Sequence, residues 1–309
     1  MATAALAGAG PGTAGAGAVQ PSAGKPAAPV WERVRYGNPG ALALRSQVGL
    51  VVDEDEGVIL YGRDADKPRP IASLTKLLTI VTLMDAKLSL DKVITITRQD
   101  RDRLKGSRSS LRYGTTLSRG ELMRIALVAS DNRAAAALAR TFPGGSAALV
   151  RVMNEKTRLL GLAHTRAVDA SGLGAGNIST ARDLARLAYV ARAYPLISDW
   201  STTRRFSVTD RKSAKVLSFR NTNSLVHRDS WQIALSKTGF TSEAGNCLLM
   251  RTTLAGRSLI VVLLNSWGKF SKYGDSGRIR DWLLASERAA RGRGRQAEQD
   301  STIKTSLMQ

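Results

Sequence analysis

Hydrophobic and polar positions change rhythm several times along the chain, and each change marks an element. Residues 47–52 and 58–61 are apolar-rich runs separated by an acidic turn ending in Gly57, the pattern of a hairpin. Pro68 and Pro70 then precede a helix beginning near Ser73. Its apolar positions, Leu74, Leu77, Leu78, Ile80, Val81 and Leu83, fall on almost every face, as in a helix buried in a large core. Ser118 and Glu121 form a capping box that opens a helix to about Ala129. An alanine-rich helix follows and stops at Pro143-Gly144-Gly145. Further helices are expected over 146–160 and 180–194, the second halted by Pro195. Strand patterns over 246–253 and 258–265 are joined by Ala255-Gly256-Arg257, and a last helix covers 276–290. Strands at both ends with helices between predict an α/β or α+β sandwich. No internal repeat is visible.

The 309 residues are 43% hydrophobic, ordinary for a chain that buries a core. The longest apolar run, around 77–84, lies between Lys76 and Asp85 and is far short of the roughly 20 residues that span a bilayer. Residues 1–29 are rich in Ala, Gly, Pro and Ser without periodicity, so a disordered segment is expected there. Its Gly10-Pro11-Gly12-Thr13-Ala14-Gly15 matches GxGxxG but follows no strand and opens no helix, so it reads as low complexity. The segment has the small residues of a secretory cleavage site, yet its first basic residue is Lys25 and no apolar stretch precedes it. One domain over 30–290 and a disordered basic tail over 291–309, with Arg291, Arg293 and Arg295 among glycines, complete the expected division.

A formal net charge of +21 favours anionic partners, or is simply a solvated basic surface. No zinc finger, RNA-recognition signature or basic zipper accompanies it, so nucleic acid is not an expected ligand. Cys247 is the sole cysteine, so no internal disulfide forms, and its strand-like surroundings predict a buried apolar role. His164 and His227 have no ligand-spaced partners, so neither a metal site nor a cofactor is expected. His227 could line a cleft, but a surface histidine is the favoured reading.

Candidate chemistry is concentrated in three short motifs: Ser73-Leu74-Thr75-Lys76, Ser130-Asp131-Asn132 and Lys237-Thr238-Gly239. Each has a bland reading. Ser73 could cap a helix, Ser-Asp-Asn is a capping sequence, and Lys237 could sit on an ordinary strand edge. The chemical reading is more specific. A serine hydroxyl is a weak nucleophile that needs a base. The i,i+3 spacing puts Lys76 on the same helix face as Ser73. Lysine acts as a base only when neutral, which burial and a nearby positive charge such as Lys237 would favour. Gly239, with no Cβ, permits close approach of a substrate backbone. Gly274-Asp275-Ser276-Gly277 mimics another serine-nucleophile motif, but a triad would need one of the two histidines. Ser276 leads into an amphipathic helix and reads as its cap.

The three motifs in this order are the set found in penicillin-binding proteins and class A β-lactamases, and the chain resembles these penicillin-recognising serine enzymes. The resemblance implies an α+β fold of the β-lactamase and penicillin-binding transpeptidase type: an antiparallel sheet flanked by helices, beside an all-helical lobe, with the motifs at the cleft between them. It implies Ser73 as nucleophile, Lys76 as base, and Ser130 as carrier of a proton between the reacting centre and Lys76. Asn132 would bind the substrate amide, Asp131 would point inward and hold its turn, Lys237 would supply positive charge, and Thr238 would bind the substrate carboxylate. The amides of Ser73 and Phe240 would form the oxyanion hole.

Class A β-lactamases use a glutamate with an asparagine four residues on. Here Glu155 is the only glutamate between the second and third motifs, and Leu159 follows at that spacing, so that branch is disfavoured. The segments 130–136, 143–145, 169–173, 179–184, 219–223 and 236–241 are instead similar to the D-alanyl-D-alanine endopeptidases of low-molecular-mass penicillin-binding proteins. The resemblance spans roughly residues 47–284. It implies a periplasmic, single-domain D,D-endopeptidase, soluble or loosely membrane-associated, acting on peptidoglycan stem peptides and acylated by β-lactams. A D,D-carboxypeptidase and a catalytically silent wall-binding protein are the alternatives.

Overall fold

A computed structural model of the protein describes residues 29–34 and 36–307, with side chains as far as Gly292, and brings strands from both ends of the chain into one sheet. Its six strands are β1 (Glu32–Arg33), β2 (Ser46–Asp53), β3 (Val58–Arg63), β4 (Gln232–Thr241), β5 (Gly245–Leu254) and β6 (Arg257–Ser266). They lie in the order β1-β3-β2-β6-β5-β4, antiparallel except for the two-residue β1, which runs parallel to β3. The β2–β3 and β5–β6 hairpins are the two expected from the hydrophobic pattern.

Near-continuous apolar runs are usual in strands covered on both faces, and that is the arrangement here. Val48, Leu50 and Val52 of β2 join Ile260, Val262 and Leu264 of β6 in one core. Their neighbours Val51, Leu259, Val261 and Leu263 face a second core on the other side. The strand period of two thus sorts one sequence between two cores. The first core is filled by α1 (Thr75–Asp85) and α5 (Ala181–Ala191), the second by Ile279, Trp282 and Leu283 of α7 (Ser271–Leu307).

Beyond the β4 edge lies the helical lobe, built from α2 (Arg119–Val128), α3 (Asn132–Arg140) and α4 (Gly145–Leu159) packed around α1. The expected capping box is present: Glu121 N–H donates to Ser118 Oγ at 3.2 Å, and Ser118 N–H to the Glu121 carboxylate at 2.6 Å. The α+β fold with a helical lobe is as expected.

Four local features differ from the sequence reading. Pro195 ends no helix: α5 stops at Ala191, and Pro195 opens α6 (Pro195–Thr202) at a position where its missing N–H is harmless. A hairpin of Arg205–Thr209 and Val216–Arg220 alternates too briefly, and among too many charges, to stand out in the sequence. Ser276 is no cap. The last helix begins at Ser271, so Ser276 is one turn inside, fully buried, donating to Lys272 O at 2.8 Å. The backbone of α7 is helical to Leu307, where an unstructured tail was expected from 291. Gly292 and Gly294 weaken a helix by about 1 kcal/mol each, but no proline stops it and Ala, Gln and Glu follow. The Ala/Gly-rich segment, with its Gly10–Gly15 match, lies outside the described residues apart from Pro29.

Candidate active site

Ser73 sits in a tight turn, Ala72–Leu74, immediately ahead of α1. That turn is forced into shape. Ala72 has φ +47°, a left-handed conformation that costs a non-glycine residue roughly 1–2 kcal/mol. Gly172, at φ +81°, lies against it so closely that a Cβ would fall 1.9 Å from the Ala72 carbonyl oxygen. Asp169 holds the Gly172 loop, accepting from the amides of Ser171, Gly172 and Gly174 at 2.6–2.8 Å and from Asn177 Nδ2 at 2.7 Å. Burial pushes the Asp169 carboxyl up, but these bonds outweigh it and hold the group below the ordinary value. Gly172→Ala should therefore destabilise the protein by about 2 kcal/mol or more and move Ser73. A thermal melt and a β-lactam acylation assay check both effects; unchanged acylation would mean the turn tolerates the methyl group.

Lys76 lies one helical turn on and is fully buried. Its Nζ is 2.8 Å from Ser73 Oγ, 2.6 Å from Asn132 Oδ1 and 2.7 Å from the Ser171 carbonyl oxygen. Burial lowers its pKa to about 7, against the opposing pull of Asp131, Asp169 and Asp102. A neutral amine has two N–H bonds and one lone pair. Two of the three neighbours are carbonyl oxygens that only accept, so they take both N–H bonds. The lone pair is left facing the Ser73 hydroxyl.

Lys237 is the second fully buried amine, on β4, the unpaired edge of the sheet. Its Nζ donates to Ser130 Oγ at 2.8 Å and to the Thr238 carbonyl at 2.9 Å. Burial, and then the charge of Lys76, push its pKa well below the ordinary lysine value. Ser130 thus contacts Lys237, where the sequence reading linked it to Lys76. Its backbone is left-handed, φ +57°, at the junction of α2 and α3. Asp131 points inward as expected: its carboxylate accepts from Ala134 N–H at 2.9 Å, capping α3, and from Ser109 Oγ at 2.7 Å. Gly239 runs so close to the nucleophile turn that a Cβ would lie 3.1 Å from Ser73 N.

Ser73, Ser130, Asn132, Thr238, Gly239 and Phe240 line one open cleft of about 720 Å³. Lys76 and Lys237 lie behind its wall. The opposite wall is aromatic and comes from a segment the sequence reading passed over: Trp267, Phe270 and Tyr273, at the approach to α7. Their spacing of three within a Gly/Lys/Ser stretch is the signal that could have marked them. Trp267 is 86% exposed and Phe270 68%, large apolar surfaces held open to solvent. Thr222, Ser107 and the Ser171 carbonyl also belong to the site through contacts with Thr238, Asn132 and Lys76. Lys105, in the loop before α2, reaches Glu243 in the β4–β5 turn and ties that loop to the sheet.

Other candidates fall elsewhere. His227 is outside the cleft lining, its Nε2 3.2 Å from Asn221 O. Cys247 is buried in the core, where burial pushes its thiol up to about 11. Among the described residues no group of three His, Cys, Asp or Glu could hold a metal, and no helix is long and apolar enough to cross a membrane.

A sheet with a free edge, a helical lobe and a serine–lysine turn between them define a penicillin-binding transpeptidase-like protein. The solved Streptomyces DD-transpeptidase superposes with a TM-score of 0.72 at 26% identity, covering 79% of this chain and 98% of that one. A family model described as D-alanyl-D-alanine carboxypeptidase, a serine peptidase family, matches residues 36–268, and the chain belongs to that family. It is 45% identical to the D-alanyl-D-alanine endopeptidase of Pseudomonas aeruginosa, over 81% of this chain and 80% of that one. It is 40% identical to the Escherichia coli protein of the same name, over 78% and 77%. A Streptomyces D-alanyl-D-alanine carboxypeptidase is 30% identical, over 77% and 86%.

Proposed function

We propose that the protein is a penicillin-sensitive serine D,D-endopeptidase that opens D-alanyl cross-links in peptidoglycan, with residues 30–290 as its catalytic unit and the periplasm as its place of work. The observation that carries this reading is the pairing of Ser73 Oγ with a buried amine whose two N–H bonds are taken by carbonyl acceptors. Ser73 Oγ attacks the D-alanyl carbonyl carbon and its proton passes to Lys76. The oxyanion is held by the amides of Ser73 and Phe240; losing one such donor typically costs about 3 kcal/mol in barrier. The C–N bond breaks as the leaving amine takes a proton delivered through Ser130. Water then hydrolyses the acyl ester and frees Ser73.

Thr238 binds the substrate carboxylate, Lys237 supplies positive charge from behind the cleft wall, and Asn132 binds the substrate amide. The substrate backbone lies along the free edge of β4, completing the sheet as an added strand. β-Lactams acylate the same serine. The higher identity to relatives named endopeptidases, compared with those named carboxypeptidases, supports cross-links as the substrate.

The test is incubation with purified cross-linked muropeptide dimers and with uncross-linked pentapeptide, read by mass spectrometry, with a penicillin-treated control. Conversion of dimers to monomers, blocked by penicillin, is expected. Release of D-alanine from pentapeptide with dimers left intact would make the protein a carboxypeptidase instead.

A further inference from the structure

A basic groove lies beside the cleft but outside it. The loop before α2 carries Arg98, Arg101, Arg103, Arg108 and Arg112, all exposed. Among the described residues, none of these guanidinium groups makes a hydrogen bond or an ion pair. Two open hollows meet at Tyr113. One, of about 550 Å³, is lined by Arg98, Arg101 and Arg103; the other, of about 720 Å³, by Arg112, Lys212 and Lys215.

The two carboxylates in these walls are turned into their own loops. Asp102 accepts from the amides of Leu104, Lys105 and Ser107 at 2.8–2.9 Å. Asp210 accepts from the amides of Thr116 and Lys212 at 2.8 and 3.1 Å, and from Ser213 Oγ at 2.5 Å. Six cations therefore face solvent around one exposed aromatic ring. The groove is fixed to the active-site wall. Ser107 Oγ accepts from Asn132 Nδ2 at 2.8 Å, and Ser109 Oγ donates to Asp131 at 2.7 Å.

We propose that this groove is an exosite for the carboxylate-bearing stem peptides of peptidoglycan strands next to the one being cut. The inference rests on the peptidase reading above. Planar guanidinium groups pair carboxylates two bonds at a time, and a row of them suits a polymer that repeats its carboxylates. None of the groove's cations lines the cleft, so a single soluble muropeptide needs only the cleft. An intact wall presents further stems to it and is held by both.

The test replaces Arg101, Arg103 and Arg112 with glutamine together, and compares a charge-matched control with Arg151, Arg158 and Arg288 replaced. The groove variant is expected to cleave soluble dimers at the wild-type rate. At low salt it should cosediment with insoluble peptidoglycan about tenfold less well and digest it correspondingly more slowly. Wild-type cosedimentation should weaken with salt as the charges are screened. Walls stripped of their stem peptides should lose retention of the wild type. Equal losses in the control variant, equal losses on soluble dimers, or undiminished retention on stripped walls would each overturn the exosite. Cosedimentation reads the groove without catalysis. A wild type that binds walls through these arginines but cuts neither substrate would leave the exosite standing and overturn the peptidase reading.

Discussion

Ser73→Ala protein should be folded, take up no labelled penicillin, and open no cross-link. The lost hydroxyl is half-buried, and its partners are Lys76 Nζ at 2.8 Å and, at a long 3.4 Å, the Ser171 carbonyl. Neither bond holds the turn, which is fixed by the Gly172–Ala72 contact and the Asp169 network. Stability should therefore change by about 1 kcal/mol at most. Activity should fall to background, because no other serine in the cleft has an amine lone pair directed at it. Ser130 is the nearest competitor, but its Oγ accepts from Lys237. Mass spectrometry of the intact protein after incubation with penicillin reads the result directly. A covalent adduct on the alanine variant would assign the nucleophile elsewhere.

The second large effect belongs to Lys76. Its reactive form is neutral, so acylation by penicillin should rise about tenfold per pH unit below pH 7 and level off above it. The sign follows from the cause: burial disfavours the ammonium and lowers the pKa to about 7 from 10.5. An amine left at its ordinary value would give a rate still climbing at pH 10. Once Lys76 is neutral, its repulsion of Lys237 disappears, and Lys237 keeps its proton more readily to supply positive charge. Lys76→Met should slow acylation by about 10²- to 10⁴-fold and remove the inflection near pH 7. A wild-type inflection several units from 7, or one that survives in Lys76→Met, would give the proton to another group.

Much of this was legible because the relevant signals are local. Capping at Ser118 and Glu121, the two hairpins of the sheet, and the i,i+3 relation of Ser73 to Lys76 are all written within a few residues of sequence. The missing parts depend on distant segments meeting. Nothing near Ser171 marks its carbonyl as an acceptor for Lys76, since that role exists only once the Asp169 loop is folded against the nucleophile turn. The link from Ser130 to Lys237 likewise joins groups 107 residues apart. The aromatic wall is hard to read because Trp267, Phe270 and Tyr273, though spaced by three, stand in a Gly/Lys/Ser stretch and extend into no apolar stripe of a buried helix or strand. Pro195 misled for another reason: the residue that forbids one helix's continuation is also well suited to begin the next.

The fully buried Lys76 amine also bears on how hard this protein is to melt. An amine in the unfolded chain binds its proton up to about pH 10.5, whereas folded Lys76 releases it near 7. The unfolded state is thus favoured increasingly as pH falls from about 10.5 to about 7, and the disadvantage is constant below that. The native state carries this handicap at every pH at which the enzyme would work. The inactive Lys76→Met protein should escape it, melting above the wild type at pH 6 by a margin that shrinks toward pH 10. Selection for turnover has left the fold less heat-tolerant than its core alone would allow.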